Sequence, residues 1–350
     1  IYQCDWSSDV CSSDLLQRSR IVGRRIIVCD AAAHGSQVAD LHVTDESCCL
    51  GKQRALGPCG GRCVDVMMRG CRAHVQRAAI FAKVGMDERD ASHLAGSLVT
   101  SDLRGVHSHG TMRVPEYVDK LVAGGVNARG RPHVIRDEGA CLVVDADNAM
   151  GHVAMRFAME QATVRAGVIG IAACAVRGSN HAGAMASYAM QALPRDMIGL
   201  ATTNALPTMP PHGGASRLLG INPLAVAIPA GRARPVVHDA SFSHVAHGKV
   251  RVLAQRGARL PDGWATDRNG VPTTDASAAL EGLLLPIGGY KGVALAMVMG
   301  VLSSPLSGAA YGTELGSLAN GPRAGQDGHF VLAIRVQAFE DVSRFKRRVD

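Results

Sequence analysis

Residues 133–181 read HVIRDEGACLVVDADNAMGHVAMRFAMEQATVRAGVIGIAACAVRGSNH, and the hydrophobic period changes repeatedly along them. HVIRDE and CLVVD carry β-branched residues on either side of Asp137–Glu138–Gly139, which predicts two strands joined by a turn. In HVAMRFAMEQATVRAG, Met155, Ala158, Met159, Ala162 and Ala166 fall at i, i+3, i+4, i+7 and i+11, one stripe of a helix, with Gly167 as its stop. VIGIAACAV then reads as a buried strand. This alternation predicts a layered α/β domain with helices on both sides of a mixed sheet.

Downstream, IGLATTN (198–204) and NPLAVAIPA (222–230) predict further strands, with the Pro/Gly-rich loop PTMPPHGG between them. Upstream, residues 72–106 predict two helices split at Gly85, with Asp87 capping the second. VHSHGTMRVPEYVDKLVAGGVN follows, a histidine-bearing stretch before a short helix that ends near Gly124–Gly125. Residues 66–125 thus read as an N-terminal helical segment. Residues 126–335 read as the α/β core. Residues 336–350 begin a further helix, and RFKRRVD breaks off inside that pattern.

The 350 residues are 47% hydrophobic and 19% charged, which supplies a large core and excludes global disorder. A net charge of +7 favours small anions, but with only 4% aromatic residues it makes no nucleic-acid surface. Residues 292–313 carry no charge, yet GVALAMVMGVL ends at Ser303–Ser304–Pro305 and is too short to cross a bilayer. Apolar all round, it predicts a helix buried in a soluble core.

Eight of the ten cysteines lie at or before position 71. Residues 1–65 show no sustained period, and Cys4–Leu15 (CDWSSDVCSSDL) reads like translated adapter DNA. This block is expected to be a poorly ordered, non-functional extension. Cys49, Cys59 and Cys63 lack the paired CxxC spacing of a zinc knuckle. Cys141 and Cys174, in apolar runs, predict reduced, buried thiols. No pair of histidines shows the HExxH pattern of a zinc hydrolase, and no catalytic metal is expected.

Three polar clusters carry candidate chemistry. Ser108, His109, Arg113 and Tyr117 lie in SHGTMRVPEY, where the four-residue steps from His109 to Arg113 to Tyr117 put these three on one helical face. Pro115 fits only the first turn of such a helix. A guanidinium fork suits a carboxylate, and a phenol beside it adds a hydrogen bond. His181 follows the strand VIGIAACAV in a loop of small residues, where an imidazole can accept and return a proton. LLPIGGYKG sets Gly289 and Lys291 at the mouth of a helix, a site suited to phosphates. Neither GxGxxG nor a Walker motif occurs, so any dinucleotide binds without the Rossmann fingerprint.

Together DLRGVHSHGTMRVPEYVDKLVAGGVN, RGSNHAGAMASYAMQA, MIGLATTNALPTMPPHGG, LLGINPLAVAIPAG, PDGWATDRNGVPTTD, LPIGGYKGVALAMV and GHFVLAIRVQAFED resemble the malate/L-lactate dehydrogenase family of the non-Rossmann type. The resemblance runs from about Val66 to Asp350. It implies a cytoplasmic homodimer that moves hydride between NAD or NADP and C2 of a small 2-hydroxy or 2-keto acid. A cyclic 2-imino-acid reductase and a catalytically degenerate member are the alternatives it leaves open. The same resemblance makes His181 the proton acceptor, with His109 and Arg113 catalytic and Ser108 and Tyr117 facing substrate. Cofactor contacts fall on Asn204, Ala205, Asp239, Ala240, Ser241, Gly289 and Lys291. Ile221 stands where the family usually has Thr, DASFS where it has a DMATS-like run, and Leu206 where a small or polar residue is usual.

Overall fold

The computed structural model describes residues 19–22, 25–28, 41–42, 61–315 and 326–350. The chain divides into two compact units, Ile1–Cys71 and Arg72–Asp350. In the first, β1 (Ser19–Val22), β2 (Arg25–Val28) and β3 (Leu41–His42) form an antiparallel sheet in that order. No strand is expected here from a sustained period, although Ile21–Val22 and Ile26–Ile27 flank the three residues Gly23–Arg24–Arg25, a hairpin signal. The remainder of the expectation for residues 1–65, with Cys49, Cys59 and the Cys63 side chain, lies outside the described residues.

Helix α1 (Gly61–Lys83) ends before a turn at Gly85, whose φ of 100° favours glycine. Helix α2 (Glu88–Leu103) starts on the expected cap, with the Asp87 carboxylate accepting from the Asp90 N–H at 3.0 Å. Two short 3₁₀ turns, His107–His109 and Thr111–Arg113, lead into α3 (Val114–Val122), with Pro115 in its first turn as its missing N–H requires. Phe81, Leu94, Leu98, Tyr117, Leu121, Met150 and Val153 form one buried cluster, which fixes α3 against the helix that follows.

Strands β4 (His133–Glu138) and β5 (Cys141–Asp145) form the expected hairpin, turning at Gly139 with φ 70°. Helix α4 (Gly151–Ile169) buries Met155, Ala158, Met159, Ala162 and Ala166 completely. Each buried Met contributes roughly 1.5–3 kcal/mol. The helix does not stop at Gly167. It runs on to Ile169 and ends at Gly170 (φ 105°), so Val168 and Ile169 are exposed helix rather than strand. Strand β6 (Ile171–Ser179) follows, then α5 (Ala186–Ala189), β7 (Met197–Thr203), β8 (Leu224–Ile228) and β9 (Val236–Ala240).

The smaller elements come next: α6 (His247–Gln255), β10 (Ala265–Thr266), β11 (Pro272–Thr273), α7 (Ala276–Glu281) and β12 (Leu283–Leu284). Helix α8 (Tyr290–Ser303), β13 (Asp327–Arg335) and α9 (Val342–Val349) complete the order. The main sheet runs β4-β5-β6-β13-β7-β8-β9. Only β5 and β6 pair in parallel; β13 inserts antiparallel between β6 and β7. The fold is therefore the mixed-sheet α/β class that the alternation implies.

Two further expectations are corrected. Cys141 is exposed at the start of β5, whereas Cys174 is buried; both are free thiols. Helix α8 is not enclosed: Val293, Ala296 and Met299 face the core, but Leu295, Met297, Val298 and Val301 are exposed. Composition gave no moment to distinguish the two faces, so an all-round apolar helix could not reveal which side was open. No described helix is long and apolar enough to cross a membrane.

Candidate active site

The loop after β6 is held from several sides. Buried Asn180 donates through Nδ2 to the Asn148 and Ala149 carbonyls and to Asn148 Oδ1, at 2.9–3.1 Å. The Tyr188 hydroxyl donates to the Ala182 carbonyl. Asp239 on β9 accepts the Ala186 N–H at 2.8 Å, anchoring the start of α5. Gly183 turns the loop with φ 71°, and a Cβ there would lie 2.7 Å from His152 Nε2. His181 is therefore presented by a backbone with little freedom.

The His181 ring meets residues from the SHGTMRVPEY stretch. The Tyr117 hydroxyl lies 2.7 Å from His181 Nδ1, and the Gly183 N–H leans on the same nitrogen at 3.4 Å. His109 stacks on His181 with ring centroids 5.7 Å apart and planes inclined by 17°. The Ser108 hydroxyl lies 2.9 Å from His109 Nδ1. Arg113 is fixed by donating through Nε to the Ser108 carbonyl at 2.7 Å and through Nη1 to Glu116 Oε2 at 2.5 Å. Glu116 Oε1 in turn accepts from Arg251 of α6 at 2.8 Å. Gly248 lets α6 approach closely: a Cβ there would lie 3.1 Å from Arg113 Nη2 and 3.4 Å from Ser108 Cβ.

Electrostatics follow from this packing. Burial holds the His181 pKa well below the usual imidazole range, and His109 and the Arg113 guanidinium push the same way. His109 is lowered to about 4 by burial and by Arg113. Burial raises the Tyr117 phenol well above its usual range, so its hydroxyl stays protonated. Burial pushes the Asp327 carboxyl up to about 6, with the Lys120 ammonium opposing it. Both imidazoles rest neutral beside the half-buried Arg113 guanidinium.

All five residues proposed for catalysis and substrate binding (Ser108, His109, Arg113, Tyr117 and His181) thus meet in one cluster. The expected cofactor residues divide. Ala240 and Ser241 lead into a segment whose Phe242 donates to the Ile221 carbonyl and accepts from the Ile287 N–H, each at 3.0 Å. This brings the segment beside Gly289 and Lys291 at the mouth of α8. Asp239 spends one oxygen on α5. Asn204 turns inward: Nδ2 donates to Ser304 Oγ and the Ala310 carbonyl, and Oδ1 accepts from Gly328 N–H. Ala205 N–H donates to buried Asn222. These bonds make the Asn204 side chain a brace for its loop.

Three residues near this cluster were not singled out from sequence. Glu116, three positions after Arg113 in the first turn of α3, had a readable i, i+3 signal. Arg251 and His152 had none. His152 is fully buried, edge-on to Tyr117 at 5.6 Å, with neither ring nitrogen bonded. Among the described residues, no group of three His, Cys, Asp or Glu side chains is placed to hold a metal.

Residues 72–350 match the family model described as malate/L-lactate dehydrogenase. The chain is 36% identical over 271 residues to the L-sulfolactate dehydrogenase of Methanocaldococcus jannaschii, covering 77% of this chain and 78% of that protein. It is 35% identical over 271 residues to the ureidoglycolate dehydrogenase (NAD(+)) of Escherichia coli K12, covering 77% of each. With the Δ1-pyrroline-2-carboxylate/Δ1-piperideine-2-carboxylate reductase of Pseudomonas putida it shares 36% over 237 residues, 67% of this chain and 70% of that one. The solved sulfolactate dehydrogenase from M. jannaschii superposes with a TM-score of 0.75 at 35% identity, covering 80% of this chain and 81% of the other. Matched over most of its length in sequence and in fold, the chain belongs to the malate/L-lactate dehydrogenase family of oxidoreductases.

Proposed function

We propose that this protein moves a hydride between NAD or NADP and C2 of a small 2-hydroxy or 2-keto acid. His181 exchanges the proton at the substrate oxygen, and Arg113 anchors the carboxylate. The observation that carries this reading is the 2.7 Å bond between the Tyr117 hydroxyl and His181 Nδ1. It leaves Nε2 as the nitrogen free to work on substrate. With Nδ1–H donated to the Tyr117 oxygen, Nε2 is bare in the neutral ring and protonated in the imidazolium, so the same bond holds the ring in both charge states.

In the oxidative direction, neutral His181 takes the hydroxyl proton on Nε2, and Nδ1–H points to the Tyr117 oxygen. In reduction the imidazolium returns that proton to the developing alkoxide. A positioned base of this kind contributes roughly 10²–10⁴-fold. The low His181 pKa is suited to its role as acceptor, because the ring is unprotonated at neutral pH. A substrate carboxylate beside Arg113 offsets the positive charge that disfavours imidazolium, so acid binding and proton uptake favour each other.

The mouth of α8 fits the phosphates of a dinucleotide. Gly288 and Gly289 adopt φ 59° and 62°, and a Cβ on Gly289 would meet nothing within 4 Å. A helix N-terminus then faces open space with exposed Lys291 in its first turn. Gly289, Lys291 and Ser241 would hold the cofactor, which when bound supplies or accepts the hydride. Dimerisation is part of the reading, supported by exposed Leu295, Val298, Val301 and Leu306. The reducing cytoplasm suits the free thiols Cys141 and Cys174. The test is absorbance at the nicotinamide band for NADH and NADPH against a panel of 2-keto acids and cyclic 2-imino acids. Turnover with one of them is expected; a panel with no turnover by protein that binds the nucleotide refutes the assignment.

A further inference from the structure

Beside the carboxylate anchor stands a charged side chain, Glu116, that the proton transfer does not use. Glu116 spans two guanidiniums from different elements, with Oε2 on Arg113 at 2.5 Å and Oε1 on Arg251 at 2.8 Å. Burial pushes its carboxyl up, but the two arginines more than reverse this and hold its pKa below the usual range. Arg251 comes from α6, the helix whose Gly248 packs against Arg113 and Ser108, and it remains 43% exposed. A second cation therefore stands at the rim of the anchor, already paired with a carboxylate belonging to the protein.

The charges set a limit. Arg113 and Arg251 against Glu116 leave one unit of positive charge, enough for one substrate carboxylate. A second anionic group on the substrate, at C3 or beyond, finds Arg251 occupied and Glu116 facing it. Like charges brought together in a partly desolvated site work against the wrong partner. We infer that Glu116 is a specificity-determining residue that takes the place of a substrate's distal acid group, selecting monocarboxylate 2-keto or 2-imino acids over dicarboxylates and sulfonates. This rests on the function proposed above and narrows its substrate class.

The test compares kcat/KM for pyruvate and oxaloacetate in the full-length wild type, E116Q, R251M and the double variant. Wild type is expected to favour pyruvate. E116Q, which frees Arg251, is expected to shift the ratio at least about tenfold toward oxaloacetate, and R251M in that background to cancel the shift, a change of about 1.4 kcal/mol. A ratio unmoved by E116Q, a wild-type preference for the diacid, or a shift that persists in the double variant overturns the inference. Competition of oxamate and of malonate against substrate in the wild type needs no variant. Tighter binding of oxamate supports the role of Glu116, and tighter binding of malonate contradicts it. Absence of turnover with any 2-keto acid defeats the functional reading itself. Turnover with an unmoved ratio defeats only the role of Glu116.

Discussion

Acidification should destabilise this protein steeply, because its active-site layer buries neutral imidazoles. His93, His109, His152, His181 and His329 all have pKa values below the usual 6.5, with burial the leading cause in each. His93 and His109 fall to about 4 and His329 to about 3. In the unfolded chain each titrates near 6.5, so below that pH the unfolded state binds protons that the folded state refuses. The stability these groups confer is present above pH 6.5 and is lost as pH falls toward their folded values. Each contributes about 1.4 kcal/mol per pH unit within that window.

Asp327 opposes them. Raised to about 6, it binds a proton in the folded state that the unfolded carboxyl takes up only near 3.8, so it restores stability as pH falls through that interval. Asp239, also raised, adds to this opposition. The balance is roughly three to four protons taken up on unfolding, or about 4–5 kcal/mol per pH unit below pH 6. That rivals the whole net stability of about 5–15 kcal/mol of a folded domain. Urea unfolding followed by circular dichroism, repeated from about pH 7 down to about pH 5, measures the slope directly. Replacing His152 with Leu should lower it by one proton. A slope of one proton or fewer in the wild type would refute the claim that these imidazoles are buried and neutral.

Other consequences can be checked separately. Tyr117→Phe keeps the buried ring but removes the bond to His181 Nδ1. It should lower kcat by about 10- to 100-fold and displace the pH profile of kcat/KM, with the melting temperature little changed. Gly183→Ala meets both φ 71° and the His152 ring at 2.7 Å; thermal melting should show a loss of about 1–3 kcal/mol, together with lost turnover. Asp90, 4% exposed, pairs with half-buried Arg156 at 2.6 Å, so Asp90→Ala removes a charged hydrogen-bond partner and should cost about 1–3 kcal/mol in urea unfolding.

What could be read from the sequence was local. The α4 stripe, the Asp87 cap, Pro115 in a first turn and the loop carrying His181 all follow from periods and caps within a few residues. Gly167 misled because glycine also serves inside a helix; only φ 105° identifies Gly170 as the true stop. The sheet order was hidden because β13 lies far along the chain yet pairs with both β6 and β7. The same distance concealed Arg251 on Glu116 and the inward bonds of Asn204, which decide whether a polar side chain braces the fold or faces a ligand. The SHGTMRVPEY residues could be grouped because they lie close in the chain, although two 3₁₀ turns broken at extended Gly110, rather than one helical face, carry His109 and Arg113 ahead of Tyr117 on α3; nothing local joins Tyr117 to His181.

The most direct measurement pairs stopped-flow oxidation of NADH or NADPH by the best 2-keto acid with nucleotide binding by fluorescence, in wild type and His181→Ala. The variant should bind nucleotide as wild type does while losing about 10²-fold or more in the hydride-transfer step. Undiminished hydride transfer in His181→Ala would contradict the proton-exchange role on which this account rests.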